Sequence, residues 1–436
     1  MLKKILLGGA LFSQLASPAF AQNRASLPPT VRHCATPSAD QLPASEQAAL
    51  QQIERQTQDF IAQRKLTTSG TANRVSAIVT IPVVVHILYN TSAQNISDAM
   101  VQSQIDVLNR DFAKLNTDFS QTPAAFQGAG ADMQIRFQLA GHTPTGAVTN
   151  GIIRKYTTKT YFEYGGKDRG GVFVKQSAKG GDDAWNTRNY LNMWVCNFGG
   201  TSAGLLGYAT FPTDAGTYKD GVVMGYKYFG VNPALGGVYG YGRTATHEVG
   251  HWVNLRHIWG DASCGSDLVS DTPTQSTSNF GCPSFPRRTC GNTTNGDMFM
   301  NYMDYTDDQC MHMFTTGQST RCQALFATGG VRASLATSPG LTPTAPSDPF
   351  ALRGRVNVYP NPTEGIATLR MDFPEATSTA TLRVLNMQGL TVYEQTLRNL
   401  SAGISEQTLP HLPRGIYSVQ VTGAGSTTQV RMSVTE

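Results

Sequence analysis

The chain has 436 residues, seven cysteines and eight histidines, with 15% charged residues and a formal net charge of +4. Such a length holds about three domains and an ample core. A charge this small, with no lysine or arginine run beyond the N-terminus, argues against a nucleic-acid partner. The opening stretch MLKKILLGGALFSQLASPAFAQ has a basic start, an apolar run and a small-x-small ending at Ala19-Phe20-Ala21. It reads as a signal peptide over residues 1–21, cut before Gln22. The run is too short to span a bilayer and no other stretch reaches the length of a span, so the mature form is expected to be exported without one.

Residues 22–73 are polar and rich in Gln and Ala, with a helical stretch from Glu46 to Arg64 and a loop-like ending, LTTSGTANRVS. They read as a prosegment with an exposed processing site. The β-branched run IVTIPVVVHILY predicts a buried strand, and SDAMVQSQIDVLNRDFAKLN, capped by Ser97, predicts a backing helix. MQIRFQLAG, YLNMWVCNF and DGVVMGYKYFG add strands, so residues 74–330 read as an α+β unit whose sheet rests on two helices.

In HEVGHWVNLRHIWG, His247 and His251 lie four apart, which puts both imidazoles on one helix face, where two ligands of one metal belong. Glu248 flanks that face as a general base would. His257 reaches the same metal only if the chain turns, and Asn254, tolerant of the left-handed conformation, sits where the turn is needed. Three histidines with zinc leave one coordination position for water. Downstream, NYMDYTDDQCMHMF places Met303 on a tight turn that would floor the imidazoles and Tyr305 where its phenol can point at the metal. His312 reads as a non-ligand, because a fourth histidine would close the site.

After the linker-like SLATSPGLTPTAPSDPF, spanning the expected linker at residues 331–352, helical periodicity ends. RVNVYPNP, TATLRVLNMQG, LTVYEQTL, GIYSVQVTG and TTQVRMSV alternate as short strands between Gly and Pro turns, which predicts a small all-β sandwich over 353–436.

The stretches GRTATHEVGHWVNLRHIWGD, CGSDLVSDTPTQ, LNMWVCNFGG, LLGYATFP and NYMDYTDD together resemble the pappalysin family of metzincin zinc peptidases, in its smaller bacterial branch, over roughly Ile78 to Phe326. Asn254 departs from the glycine of the general metzincin pattern. The tail, with YPNP, MQGLTVY and LPRGIYSVQV, resembles the C-terminal sorting domain of the type IX secretion system, although paired lysines at its end are missing. The resemblance implies a secreted endopeptidase acting on protein and peptide substrates. Glu248 would then activate water and Tyr305 would donate to the oxyanion. A non-catalytic binding protein on this scaffold would be expected to lose Glu248 or a ligand, and none is lost; a different zinc hydrolase is disfavoured by the Met303 turn.

Four cysteines, Cys264, Cys282, Cys290 and Cys310, surround the zinc region, and sequence alone allows three pairings. The resemblance implies Cys264 with Cys290 and Cys282 with Cys310. Cys196 reads as a packed apolar residue, and Cys322, in a predicted helix, has no assigned role. Asp267, Asp271 and Thr272 offer hard oxygen ligands in one short loop, and with the resemblance they are candidates for calcium. Cys34, a lone thiol in the prosegment, is a candidate zinc ligand in a latent form, with His33 as the rival blocking group. The smaller bacterial enzymes of the family cleave before arginine. That implies an acidic pocket behind the Met303 turn, with Asp307 and Asp308 as candidates, Asp308 favoured, and Asn73-Arg74 as an autolytic site.

Overall fold

The computed structural model describes residues 32, 34–68, 78–165, 171–292, 294–341, 356–373, 377–387, 389–401, 403–423 and 426–435. The signal peptide, His33 and Asn73-Arg74 lie outside the described residues. The chain divides into two compact units, Met1–Leu341 and Thr342–Glu436.

In the first unit, β1 (Val79–Tyr89) is the central strand, and Ile81 to Leu88 are all buried. Its run of apolar side chains from Ile81 to Leu88, broken only by His86, is what a strand covered on both faces requires. β2 (Ile135–Leu139) and β3 (Ile152–Tyr156) pair with successive halves of β1, and β4 (Leu191–Cys196) pairs with it in parallel register. β6 (Val222–Gly225) continues the sheet in parallel. β5 (Gly207–Ala209) closes it as an antiparallel edge, giving the order β2-β1-β4-β6-β5.

Helix α2 (Asp98–Phe112) starts where Ser97 accepts a hydrogen bond from Met100 N at 3.2 Å. Its buried Val101, Ile105, Leu108 and Phe112 recur at helical spacing and pack with Val83, Val85 and Ile87 of β1. Helix α3 (Arg243–Trp252) is buried at every residue and shares that core through Val249 and Trp252. The N-terminal helix α1 (Ala44–Thr68) and α4 (Thr316–Gln323), which carries the buried Cys322, complete the helical layer. Cys196 is buried in β4.

The expected linker starts too early. Arg332 is buried and holds Asp220 with two hydrogen bonds, at 2.7 and 2.9 Å, while its guanidinium lies 3.7 Å from the Trp252 ring centroid. Leu335 is also in the main core, and the unit runs to Leu341. Linker-like composition therefore starts before the packed unit ends, because polar and small residues at 333–340 still close its surface.

The second unit is the expected all-β sandwich, with seven strands where the sequence shows five alternating runs. One sheet has the order β10-β9-β12-β13 and comprises β9 (Thr377–Leu385), β10 (Thr391–Leu400), β12 (Gly415–Gly423) and β13 (Ser426–Val434). The other has the order β11-β8-β7, from β7 (Val356–Tyr359), β8 (Thr368–Phe373) and β11 (Gly403–Thr408). Leu369, Met371, Leu382, Val384, Val419 and Val421 meet in its core. No helix among the described residues is long and apolar enough to cross a membrane.

Candidate active site

Helix α3 presents His247, Glu248 and His251 as its spacing requires, then stops. Asn254 adopts φ 75°, and Leu255 N reaches back to Gly250 O at 2.9 Å. That turn returns His257 to the helix. The Nε2 atoms of His247 and His257 each lie 3.1 Å from Nε2 of His251. Every Nδ1 faces a fixed acceptor: Tyr302 O at 2.7 Å for His247, Leu255 O at 2.9 Å for His251, and Asp261 Oδ1 at 2.5 Å for His257. These acceptors hold the Nδ1–H tautomer and turn three lone pairs toward one point. Burial, reinforced by the neighbouring imidazoles, lowers His247 well below its ordinary range and His251 to about 3, so both stay neutral as metal ligands must. A donor set of three converging imidazole nitrogens fits zinc.

Met303 is fully buried beneath this group, and a Cβ at Gly250 would come within 2.4 Å of its sulfur. Glycine at the fourth position of HEVGH therefore lets the Met303 turn rise against the helix. Tyr305 Oη lies 3.0 Å from His257 Nε2, while Trp259 stacks on the His257 ring at 4.4 Å. His312 stands apart, with Nε2 3.1 Å from Gln309 O.

Glu248 is 1% exposed, and burial pushes its carboxyl up to about 7. A base is most effective when its pKa lies near the operating pH. Edge strand β5 passes directly beside it, since a Cβ on Gly207 would come within 3.1 Å of Glu248 Cγ.

The N-terminal residues Arg32 and Cys34 to Thr36 lie against this site. Cys34 bridges in parallel to Gly207, and its Sγ lies with His247, His251 and His257 in one group whose ligand atoms are all within 4.8 Å of one another. Burial, then the Glu248 carboxylate, push the Cys34 thiol up, and it donates to Glu248 Oε2 at 3.4 Å. Thr36 Oγ1 donates to the same oxygen at 3.0 Å. Two residues before Cys34, Arg32 enters a buried pocket. Its Nη2 donates to Asp308 Oδ1 at 2.5 Å, Nη1 to Thr244 Oγ1 at 3.1 Å and Nε to Thr306 O at 3.3 Å. The guanidinium meets three separate acceptors, because Asp308 Oδ2 is taken by the backbone N–H groups of Tyr241 and Arg243, at 3.0 and 3.2 Å. Asp307 lies beside the pocket, part-exposed, and makes no contact with the guanidinium.

The expected calcium ligands separate. Asp271 turns to the start of α4, accepting from Thr315 Oγ1 at 2.7 Å and Gly317 N at 2.8 Å. Asp267 and Thr272 stay together. The single Thr272 hydroxyl lies 2.8 and 2.9 Å from the two Asp267 oxygens and 2.9 Å from Val269 O. One proton cannot serve three acceptors, and burial pushes the Asp267 carboxyl up to about 7. Nearby, disulfides join Cys264 to Cys290 and Cys282 to Cys310. Sequence reading missed Asp261, Thr36 and Arg32. The first sits one helical turn's spacing past His257, but the others show no local pattern and gain meaning only across more than two hundred residues of chain.

A profile of the family described as Pregnancy-associated plasma protein-A matches residues 175–327. Over 309 residues the chain is 32% identical to an extracellular metalloprotease of Colletotrichum graminicola, covering 68% of this chain and 90% of that protein. The chain belongs to the pappalysin family of zinc metallopeptidases. Among solved structures, this pappalysin is similar to mature mirolysin of Tannerella forsythia in complex with a cleaved peptide, with TM-score 0.57 and 49% identity over 61% of this chain and 100% of that one. It is similar also to a promirolysin mutant of the same organism, with TM-score 0.61 and 46% identity over 70% of this chain and 97% of that one. Residues 357–435 match the secretion system C-terminal sorting domain. The pappalysin is thus a zinc metalloprotease exported by the type IX pathway to the cell exterior.

Proposed function

We propose that this pappalysin is made as a latent zymogen, hydrolyses peptide bonds on the N-terminal side of arginine, and is held inactive by Arg32, Cys34 and Thr36. In this reading residues 1–21 are the signal peptide, 22–73 the removable prosegment, with Asn73-Arg74 the autolytic site, and the sandwich interacts with the type IX machinery. The observation that carries it is the placement of one short strand on three functional groups at once: Asp308, the histidine triad and Glu248.

Bound zinc supplies Lewis acidity, lowering the pKa of water to about 7 and polarising the scissile carbonyl. Glu248, buried beside the β5 edge, takes the proton of the attacking water and passes it to the departing amine. Tyr305 donates from the far side to the oxygen on which charge develops, a contact worth about 3 kcal/mol. Asp308, Thr244 Oγ1 and Thr306 O receive the guanidinium of the residue after the scissile bond, as they receive Arg32 here. Three acceptors set around a planar fork match the three guanidinium nitrogens of arginine, whereas lysine brings its donors on one nitrogen at a single point.

In the latent form the Arg32 side chain fills that pocket, and Cys34 with His247, His251 and His257 would hold the zinc. Glu248, which accepts from Cys34 Sγ at 3.4 Å, is the neighbouring base that would take the thiol proton. Thr36 then keeps the Glu248 carboxylate from a water. Calcium is assigned to Asp267, Val269 O and Thr272, where oxygen lone pairs crowd one hydroxyl, with Asp271 as the helix cap of α4.

The test uses the full chain kept uncut by Arg74→Ala. Cys34→Ala or Arg32→Ala should raise basal hydrolysis of an arginine peptide about tenfold or more, the scale of a lost charge-assisted contact. In the processed enzyme Glu248→Ala should lower kcat by at least about 100-fold with zinc content unchanged. No rise in either latch variant overturns the latency reading, and unchanged turnover in Glu248→Ala overturns the mechanism.

A further inference from the structure

Away from the cleft, the prosegment makes a second attachment that neither catalysis nor the Arg32–Cys34–Thr36 strand uses. Helix α1 buries Leu50 against Phe211 and Ile53 in the main core of the catalytic unit. On the same helix, Glu54 meets Arg321 of α4: Nη1 donates to Glu54 Oε1 at 3.0 Å and Nη2 to Oε2 at 2.5 Å. Such a fork is the strong, directional form of an ion pair. The Arg321 side chain is fully buried, and its remaining Nε donates to Asn254 O at 2.7 Å. Asn254 is the residue whose left-handed turn swings His257 to the metal. Beside this pair lies Arg256, whose guanidinium feels the like charge of Arg321 and the opposite charge of Glu54, and whose Nε is buried with no partner.

Arg321 holds Glu54 through both terminal nitrogens, and Arg256 feels Glu54 together with Asp261 and Asp267. If α1 leaves, both terminal nitrogens of Arg321 lose their acceptors while the apolar seats of Leu50 and Ile53 open. A buried fork without its partner is strongly unfavourable.

We propose that Arg321 forms a carboxylate-binding site on the catalytic unit, and that the cut prosegment stays on it, or returns to it, through Glu54 of α1. This rests on the reading of residues 22–73 as the removable segment but not on the roles of Arg32 and Cys34. The occupant is the helix of the chain's own prosegment, which carries the carboxylate of Glu54 next to the apolar anchors Leu50 and Ile53. Cutting the segment that joins α1 to β1 is then insufficient to free the enzyme. The helix must also be digested or displaced, and while it stays, Leu50 keeps Phe211 covered. The Phe211 ring lies 5.7 Å from that of His251, so the seat adjoins the cleft.

The test uses the full chain with Glu248→Ala to prevent self-digestion and a recognition sequence for a specific protease placed within residues 69–77. After cutting, native mass spectrometry over a dilution series measures the fraction of N-terminal fragment still bound. With Arg32→Ala and Cys34→Ala added, to remove the strand in the cleft, the fragment should remain bound at micromolar concentration. Glu54→Gln in the same background should weaken retention tenfold or more, and Arg321→Lys, which keeps the charge but loses the fork, should weaken it too. Release on cutting despite an intact Glu54, or retention unchanged by Glu54→Gln, overturns the proposal. Failure of the latency reading shows elsewhere, as latch substitutions that leave basal hydrolysis unchanged.

Discussion

Asp308 divides its two oxygens between the protein and its ligand. Oδ2 is fixed by the N–H groups of Tyr241 and Arg243 at the start of the zinc helix, and Oδ1 faces the guanidinium of Arg32. Asp308→Asn should therefore lower kcat/KM for peptides with arginine after the scissile bond about 10- to 100-fold, the scale of a lost charged hydrogen bond. Peptides with an alanine there should change far less, and Asp307→Asn should leave the ratio alone. Equal losses for both peptide types would show that Asp308 only supports the helix start. Asn254 shows a different economy. Its φ is 75°, and neither atom of its buried amide finds a partner. Nothing in the structure needs the side chain, only the backbone conformation. Glycine adopts that conformation freely, whereas alanine is strained there by roughly 1 to 2 kcal/mol. Thermal midpoints should thus run Asn254→Gly at or above the natural chain and Asn254→Ala below it; a higher midpoint for alanine than for glycine would contradict the turn argument.

Elements differ in how far the sequence reveals them. Helix α2 is readable because its cap, its apolar period and its length agree locally, and α3 because zinc ligation imposes its own spacing on the histidines. Strand β5 has three residues, too few for any period to show, and exists because β6 lies beside it; the one large apolar residue of β11, Ile404, is exposed, so its buried face leaves no mark. The N-terminal stretch around Cys34 reads as nothing until Cys34 meets Gly207. The loop from Cys264 to Cys310 falls between these cases. Its disulfides follow from family resemblance, while the parting of Asp271 from Asp267 depends on where α4 begins. That parting shapes the calcium prediction. If a cation sits among Asp267, Val269 O and Thr272, it binds the folded loop alone, and at a hundredfold excess over Kd it stabilises by about 2.7 kcal/mol. Chelation at constant pH should lower the Tm of the catalytic unit by several degrees. Asp267→Asn should abolish that response, whereas Asp271→Asn should lower Tm with and without calcium alike. A calcium response that survives Asp267→Asn places the ion elsewhere.

At the scale of the whole molecule, the sorting domain supplies no zinc ligand, so catalysis should survive its removal, but the point of truncation decides the result. A cut after Phe326, where the resemblance to the peptidase ends, removes Arg332 and Leu335. Asp220 would then keep a buried carboxylate whose remaining partners include Trp252 Nε1 at 2.9 Å, at the last residue of the zinc helix. Stripping one partner from a buried ion pair costs about 3 to 5 kcal/mol, a large part of the margin of a typical domain. A chain ending at Leu341 keeps Arg332, Leu335 and the hydrogen bonds of Ser334 and Ser338 to the carbonyls of Arg188 and Asn189. The two truncations should therefore part company: the one at Leu341 hydrolyses peptides as the full chain does, and the one at Phe326 unfolds at markedly lower temperature and loses zinc. Both should stay inside a host that uses the type IX pathway, since each lacks the sorting domain. Export of the Leu341 form would mean that the sandwich is not what the secretion machinery reads. Equal stability of the two forms would mean that the Asp220–Arg332 pair and the Leu335 contact do not hold the end of the zinc helix.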